Sequence, residues 1–468
     1  MNIYIKRLSY LFIVTIFLTS CGKEYLDMQQ EKNLRVPQTA DDFQKLLEQT
    51  VIVNESSPVV FANIGADEYW IPTVQYNTTT GVVPAPFQRN AHIWADQIYV
   101  GRETETDWNK GYNVVYLANL GLQYTDKTPR TSIDVAKWDK LRGTALFIRA
   151  MQFYYLSQAF CPVYSEANAN LQLGLTLRED PDPTVIIPRA TVKQTYDKIL
   201  ADLNEALPLL PEKSDVLFRP SKVAIYALLS RVYMQMGNYT AAEKAADESL
   251  KIQNTLLDYN TVTITAGNTL TFGLNAKNNP EVIYMSTPYL TQLFSWYHAD
   301  TTLLRSYKNG DIRLKAYFSD TTASIQNVVF KGSYKGGTLT SYFCGLATDE
   351  VYLNRAESRA RNQNTAGALA DLNLLRRARF TTATYVDLQS TNNDEVMTWI
   401  LAERRRELVM RGTRWSDLRR LNKEAKYAKT LVRDLAPQHF ELKPGDNKWV
   451  WPLPLEAIQN GGYTQNPR

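Results

Sequence analysis

The stretch KVAIYALLSRVYMQMGNYTAAEKAADESLKI, residues 222–252, decides the fold of this 468-residue chain. Its first half places apolar residues on one helical stripe, which stops at Gly237, a residue that readily adopts the left-handed conformation ending helices. Its second half begins at Thr240, which has the spacing of a capping box with Glu243 and precedes a face of small residues. The stretch therefore predicts two closely packed helices joined by a tight turn.

Residues 222–252 match the tetratricopeptide pattern, a repeat in which pairs of helices stack on one another. The matching residues are Tyr226, Leu229, Ser230, Tyr233, Gly237, Tyr239, Ala242 and Ala246. A second set with the same spacing consists of Tyr352, Ala356, Ala368 and Leu372. Because the two sets are much further apart than the roughly 34 residues of one repeat, we predict an interrupted array of helix pairs.

Helical periodicity recurs along much of the rest of the chain. Thr191 and Gln194 form a capping box ahead of a helix that Pro208 should end. Other segments with a helical pattern are 108–124, 136–160, 349–361, 366–379 and 395–411. Two stretches, 54–100 and 255–345, lack this period and predict loops and short strands. Loops held by a rigid scaffold often carry function, so both stretches are candidates for the ligand site.

The N-terminus predicts export and lipid attachment. A basic start precedes an apolar run, residues 8–18, which is shorter than the roughly 20 residues needed to span a bilayer. The run ends in LTSC (18–21), which resembles a bacterial lipobox whose cysteine becomes lipidated. We predict a signal peptide over 1–20, lipidation at Cys21 and a tether over 21–40. An ordinary secretory signal with a chance cysteine is the alternative.

Composition excludes several classes of protein. Lys and Arg number 52 against 48 Asp and Glu, so the chain lacks the basic excess of a nucleic-acid-binding protein. Three histidines exclude a multi-histidine metal site and disfavour a histidine-based triad, and three cysteines exclude a cysteine-based zinc module. Cys161 and Cys344 could pair in an oxidising compartment, although two buried free thiols are the favoured alternative.

Motifs of catalysis are missing from the sequence. No glycine-rich phosphate loop, nucleophile elbow or HExxH helix occurs, while a glycosidase carboxylate pair cannot be read from spacing alone. The most charged segment, 403–420, mixes arginines with acids. It therefore favours a salt-bridged helix followed by a packed Trp415 over a phosphate site. Within it, Glu407 and Arg411 are predicted to pair across one helical turn.

Two clusters in the loop stretches are the candidate ligand-binding residues. Sugar rings stack their C–H faces on aromatic rings, and their hydroxyls need polar partners. One cluster is Asp67, Tyr69, Trp70, Arg89, Asn90 and Trp94, with Glu68 and Tyr76 nearby; the other is Tyr289, Trp296 and Tyr297, with Gln292, Phe294, His298 and Asp300 nearby. No cofactor is predicted. A structural calcium stays an open alternative, because oxygen-ligand calcium sites leave no reliable trace in sequence outside a recognised loop pattern.

Six motifs, in order, resemble those of SusD/RagB-type outer-membrane lipoproteins. They are Cys21 followed by GKEYLD (22–27), the helix motif 108–119, RAMQFYYL (149–156), ILADLNEA (199–206), the charged segment 403–420, and the tail from WPLP (451–454) to QNP (465–467). Each motif alone is modest, but six in this order are specific. The departures are Trp451, where Tyr or Phe is commoner, and Arg468 directly after Pro467.

The resemblance implies a mostly α fold in a single domain, 41–468. Four tetratricopeptide-like helix pairs, within about 108–254 and 347–411, would pack against an irregular, loop-rich half with short strands. The resemblance also implies a lipid-anchored protein of the outer membrane, facing the cell exterior and without catalytic activity. Such a protein captures a glycan and passes it to a SusC-type TonB-dependent transporter. Peptides or other nutrients are alternative ligands, and a glycoside hydrolase on a helical scaffold or a protein adaptor are alternatives of other classes.

Overall fold

The structure is a computed structural model of the chain. It describes residues 36–78, 84–101, 103, 106–265, 271–272, 279–289, 297–319, 324–336 and 342–468. The predicted signal peptide, the lipidation residue Cys21, most of the tether and the candidate ligand residue Trp296 lie outside these ranges. Within them, no helix combines the length and apolar character needed to cross a membrane.

The described chain is mostly α-helical with few short strands, which confirms the predicted fold class. The helices are α1 Ala40–Leu47, α2 Thr50–Val53, α3 Val60–Gly65, α4 Thr73–Asn77, α5 Pro86–His92, α6 Asp107–Lys127, α7 Val135–Phe160, α8 Val192–Ala206, α9 Lys222–Met236, α10 Tyr239–Ile252, α11 Thr301–Ser306, α12 Arg313–Tyr317, α13 Thr348–Arg361, α14 Thr365–Arg377, α15 Asn393–Glu407, α16 Arg414–Leu421 and α17 Leu455–Gly461.

The described strands form four separate antiparallel pairs. They are β1 Tyr69–Trp70 with β5 His298–Ala299, β2 Leu173–Thr176 with β3 Arg189–Thr191, β4 Val282–Tyr284 with β6 Leu346–Ala347, and β7 Leu431–Leu435 with β8 Gln438–Leu442. Single 3₁₀ turns lie at Arg130–Ser132, Tyr259–Thr261, Ile325–Asn327 and Asn447–Trp449.

The long helices form one packed layer. Helix α6 packs along α7 and α7 along α8, while α9 packs on α10, α10 on α13, and α13 on both α14 and α15. The two similarly spaced residue sets therefore lie on neighbouring helix pairs, α9–α10 and α13–α14, as the interrupted array predicts. Ion pairs join these two pairs: Arg355 bonds Asp247 at 2.8 Å, and Arg359 bonds Glu243 at 3.2 Å.

Local caps define the helix ends, and one of the two predicted capping boxes is present. At α8, Thr191 accepts the Gln194 N–H at 3.1 Å and Gln194 accepts the Thr191 N–H at 2.9 Å. The box predicted for α10 is wrong, because the helix begins earlier and Asn238 is its cap. Asn238 follows Gly237, whose φ of 74° ends α9, so the cap comes directly after the turn.

The stretch 54–100 contains the short helices α3, α4 and α5, so the prediction of loops and strands alone was wrong there. Each has five to seven residues, fewer than two turns, and shows too little periodicity to be recognised. The described part of 255–345 holds strands β4 and β5, as predicted, and also the short helices α11 and α12.

The remaining two cysteines are free thiols, which excludes the disulfide. Cys161 and Cys344 are both buried, and burial raises the pKa of Cys161 to about 12 and that of Cys344 to about 11. Both are therefore neutral and unreactive near neutral pH.

The charged segment 403–420 is rich in ion pairs and Trp415 is fully buried, as predicted. The pairing of Glu407 with Arg411 is wrong, because α15 ends at Glu407 and Met410 has a φ of 60°. Glu407 instead bonds Arg313 at 2.7 Å, and Arg411 bonds Asp349 at 2.6 Å.

The tight alanine packing between helix pairs can be tested with Ala246→Leu. Ala246 is fully buried on α10, so three added carbons must displace packed neighbours. We expect the free energy of unfolding in urea to fall by about 1–3 kcal/mol. The partly exposed Ala241 of the same helix is the control, and Ala241→Leu should change the free energy of unfolding by less than about 0.5 kcal/mol. Equal effects of the two variants would contradict this packing.

Candidate functional site

The two predicted ligand-binding clusters meet in space through the β1–β5 pair. Tyr69 lies opposite Ala299, and Trp70 lies opposite His298. Because successive side chains of a strand point to opposite faces, this short ladder has an inner face carrying Tyr69 and an outer face carrying Trp70. Tyr69 is 1% exposed and Trp70 is partly exposed, in agreement with that alternation.

The inner face is a buried aromatic network. The Tyr69 hydroxyl donates to the Ile64 carbonyl at 2.9 Å and lies 3.0 Å from His92 Nδ1. Its ring meets Tyr297 edge to face with centroids 5.8 Å apart, and the Tyr297 hydroxyl accepts the Phe330 N–H at 3.1 Å. Tyr69 and Tyr297 thus hold the two halves of the site together from the inside.

Trp94 belongs to the same buried support. Its indole N–H donates to the Gly65 carbonyl at 3.2 Å, and its backbone adopts a φ of 52°. The Arg433 guanidinium lies 4.9 Å from the Trp94 ring and 5.2 Å from the Tyr69 ring, so both rings contact one buried cation. Trp94 is 1% exposed, and its contacts are with the chain itself.

Asp67 anchors the first turn of this region to the charged segment. Arg414 bonds its carboxylate at 2.7 Å, Lys429 at 2.5 Å and Arg405 at 3.3 Å. Although burial raises the pKa of Asp67, Arg414 and Arg405 outweigh burial and hold that pKa well below its ordinary value. Asp67 is therefore a charged structural anchor, with three cations already bound to it.

Glu68 is the neutral counterpart of Asp67. Its carboxyl is 1% exposed and accepts the Met410 N–H at 3.0 Å, and no cation contacts it directly among the described residues. Burial raises the pKa of Glu68 to about 8, and the neighbouring Asp67 charge adds to the increase. The side chain is thus mostly protonated at neutral pH.

The outer face carries the residues that a ligand could reach. The rings of Trp70 and His298 lie 5.3 Å apart at 44°, and both residues are partly exposed. Within the described part of the chain, Trp70 Nε1 and His298 Nδ1 have no hydrogen-bond partner. Burial lowers the pKa of His298, which keeps the ring neutral. Neutral aromatic rings of this kind suit the C–H face of a sugar, which could stack on the Trp70 ring.

Helices α4 and α5 place two further polar groups beside this region. The Tyr76 hydroxyl donates to the Arg89 carbonyl at 3.1 Å, and the Tyr76 ring lies 5.8 Å from that of His92. Arg89 is partly exposed and forms no ion pair with any described residue. Asn90 is partly exposed as well, but its amide donates to the Ile98 carbonyl at 3.0 Å.

Tyr289 lies on the inner side of the second cluster. It is 6% exposed, Lys110 sits 5.6 Å from its ring, and it hydrogen-bonds the buried Asp107. Of the nine candidate residues, the structure therefore places Asp67, Tyr69, Trp94, Tyr289 and Tyr297 in the interior. It leaves Trp70, Arg89 and Asn90 partly exposed, and Trp296 lies outside the described residues.

A buried carboxylate group elsewhere has the geometry of a cation site but the chemistry of an ion-pair network. Glu281, Asp349 and Glu407 each bring one oxygen within 4.8 Å of the others. Arg379 bonds Glu281 at 2.7 Å and Glu407 at 2.8 Å, and Arg411 bonds both oxygens of Asp349. Guanidinium groups thus already compensate these charges, which favours an ion-pair network over a metal site.

The titration of Glu68 can be tested with Glu68→Gln. Because the folded pKa is raised from 4.5 to about 8, the stability that Glu68 contributes is complete below pH 4.5 and is lost as pH rises through 8. The glutamine variant lacks this loss. We expect it to gain at least about 1 kcal/mol relative to wild type between pH 6 and 8 in urea unfolding.

The exposed Glu212 supplies the matched control for this experiment. Glu212→Gln should keep the wild-type dependence of unfolding free energy on pH. A Glu68→Gln protein whose pH dependence equals that of wild type would show that Glu68 is charged in the fold.

Two protein-family models together match most of the chain. A SusD-like model, described as "Starch-binding associating with outer membrane", matches residues 24–234, and the SusD family model matches residues 284–468. Comparison with curated proteins found no match.

Solved structures share the fold over nearly the full length. A SusD superfamily protein from Bacteroides thetaiotaomicron is 20% identical with a TM-score of 0.71, over 92% of this chain and all of its own. A putative sugar binding protein from Bacteroides vulgatus is 20% identical with a TM-score of 0.72, over 92% and 99%. A laminarin binding SusD-like protein is 18% identical with a TM-score of 0.66, over 92% and 98%. Because two SusD-type family models match the chain in sequence order over residues 24–234 and 284–468, the chain belongs to the SusD/RagB family.

Proposed function

We propose that this protein is a cell-surface glycan-binding lipoprotein, and that the outer face of the β1–β5 pair is its sugar-stacking surface. The observation that carries this proposal is the partly exposed Trp70 ring beside the neutral ring of His298. The family description names starch binding, and one solved relative is described as laminarin binding. An oligo- or polysaccharide is therefore the proposed ligand class.

The partly exposed residues would supply two kinds of contact to a sugar, ring stacking and hydrogen bonds. Trp70 and His298 offer rings for stacking, while Arg89 offers guanidinium N–H groups to hydroxyls. The buried Tyr69, Trp94 and Tyr297 would act by positioning these groups, since a ring held by packing loses little entropy when the ligand arrives. The rings of Trp70 and His298 are themselves neutral, which suits stacking against an uncharged sugar.

Binding without catalysis is favoured over glycoside hydrolysis. Hydrolysis needs two carboxyl groups facing the bond across one open cleft. Beside the proposed surface, Asp67 and Glu68 are buried, and their oxygens are held by three cations and by a backbone N–H. The partly exposed Asp300 is bonded to Arg405 at 2.9 Å and accepts the Leu303 N–H at 2.8 Å, so its Oδ1 already has two partners.

The proposed cellular role is capture at the outer membrane and transfer to a transporter. The lipobox-like residues 18–21 support attachment through Cys21, and the family description places its members at the outer membrane. A SusC-type TonB-dependent transporter is the proposed partner. Peptides or other nutrients are the second ligand class in the same role.

The stacking surface can be tested with Trp70→Ala. Electrophoresis in gels containing starch or laminarin measures binding as retardation of the native protein. We expect wild type to be retarded by at least one polysaccharide and Trp70→Ala to lose at least about tenfold in affinity, since stacking on an aromatic ring supplies a large part of sugar binding. His298→Ala should weaken the same interaction.

Tyr116→Ala is the control, because Tyr116 is 43% exposed on α6 in the helical layer. It should bind as wild type does. Unchanged affinity of Trp70→Ala, with normal urea unfolding, would refute the assignment of this surface. Retardation by neither polysaccharide together with binding of a peptide mixture would favour the second ligand class.

The anchor and the partner can be tested together with Cys21→Ser in the producing cell. We expect the wild-type protein in the outer-membrane fraction, carrying lipid and co-purifying with a TonB-dependent transporter after mild detergent extraction. The serine variant should appear in the soluble fraction, because no acyl chain can attach. Membrane recovery of Cys21→Ser equal to wild type would contradict lipid anchoring, and absence of a transporter from wild-type preparations would contradict the partnership.

A further inference from the structure

A cavity that shares no lining residue with the β1–β5 pair lies beside the C-terminal tail, residues 465–467. Its volume is about 560 Å³, which is within the range of small-molecule sites. Four separate parts of the chain form it: the segment after α7 with β2, the end of α16, the turn 445–450 and the tail 465–467. None of the predicted ligand residues lines it.

The walls of this cavity are mainly apolar and in part rigid. Val163, Leu173, Trp449 and Pro467 contribute apolar surface. Trp449 is 6% exposed, and its ring lies 4.6 Å from that of Trp415, so packing fixes its position. Leu173 is 40% exposed at the opening of the cavity. A flat apolar group could therefore pack against Trp449 and be buried away from water.

Two cations in the lining have no carboxylate partner among the described residues. Arg419 is 5% exposed; its terminal nitrogens donate to the carbonyls of Gln158 and Cys161, and its Nε has no partner. Lys423 is exposed, and its ammonium donates to the Tyr164 carbonyl at 3.0 Å. Burying a guanidinium with only neutral partners is unfavourable, and a nearby anion would offset that cost.

One acid, Asp446, also lies in the lining. Its carboxylate accepts the Lys448 N–H at 2.9 Å and begins the 3₁₀ turn at 447. The lining therefore has one net positive charge from Arg419, Lys423 and Asp446. This balance suits a single negative charge better than a dianion such as phosphate.

We propose that this cavity binds an amphipathic organic monoanion, namely a carboxylate carried on a flat apolar body. The carboxylate is attracted electrostatically to Arg419 and contacts Lys423, and the flat apolar group packs on Trp449. A neutral sugar would leave both cations uncompensated, so this site differs in ligand class from the stacking surface. The proposal does not depend on glycan binding at Trp70.

The test compares indole-3-acetate with indole-3-acetamide on the lipid-anchored protein in mild detergent by isothermal titration calorimetry. The two compounds share one apolar body and differ in charge. We expect the acetate to bind and the amide to bind at least about tenfold more weakly, because charge-assisted hydrogen bonds are roughly twice as strong as neutral ones. Equal affinities, or no acetate binding at millimolar concentration, would overturn the proposal.

Variants locate the binding in this cavity. Leu173→Trp fills the opening from an exposed position and should abolish acetate binding, and Lys423→Gln should weaken it several-fold. Lys426→Gln is the matched control, because Lys426 lies on the same stretch and pairs with Asp394 outside the cavity. Acetate binding that survives Leu173→Trp, or falls equally in both lysine variants, would place the site elsewhere. Urea unfolding and polysaccharide retardation of each variant verify that the fold and the stacking surface are intact.

Discussion

The buried pairing of arginines with carboxylates is the constraint on which this fold depends. Arg313 and Arg379 are fully buried, and both bond Glu407 at the end of α15. Removing one partner of a buried ion pair typically costs about 3–5 kcal/mol, because the other charge stays uncompensated in a low-dielectric interior. Since Arg313 begins α12 and Arg379 follows α14, these bonds fix the loop-rich segments onto the helical layer. A separate set of bonds, from Asp67 to Arg405, Arg414 and Lys429, attaches the β1–β5 pair to the charged segment.

The sequence predicts the local half of this arrangement well and the long-range half poorly. Helix pairs such as α9–α10 are specified by residues within one or two turns, as the stop at Gly237 illustrates. The ion-pair partner of Glu407, in contrast, is distant in the sequence and could not be predicted in this way. Arg313 lies 94 residues away, and spacing along a helix wrongly favoured Arg411. Periodicity reports which residues share a face, but not which distant charge completes a pair, nor that α15 stops before the next turn.

The candidate site shows the same division. Composition drew attention to the aromatic residues of two loop stretches, and the β1–β5 pair joins those stretches directly. Composition could not separate Tyr69 from Trp70, although these neighbours point to opposite faces of one strand. Which of the two side chains is buried depends on which face of the strand packs inward. The inward face packs on Tyr297, more than 200 residues further along the chain. The residues that line the cavity beside the C-terminal tail left no signal in the sequence, because they come from four distant segments.

A stack of aromatic rings runs from α3 to the wall of the cavity and limits how that wall can move. Phe61 of α3 stacks on Trp451 at 4.8 Å, Trp451 on Trp415 at 5.2 Å, and Trp415 meets Trp449 in the cavity wall. A Cβ on Gly65 would come within 2.6 Å of Trp415, so the packing leaves no room for α3 to shift. Coupling between sites needs an element with two alternative arrangements, and a close-packed stack has one. The tail motif around Trp451 therefore belongs to one rigid aromatic stack, and we expect a ligand at the proposed stacking surface and one in the cavity to bind independently.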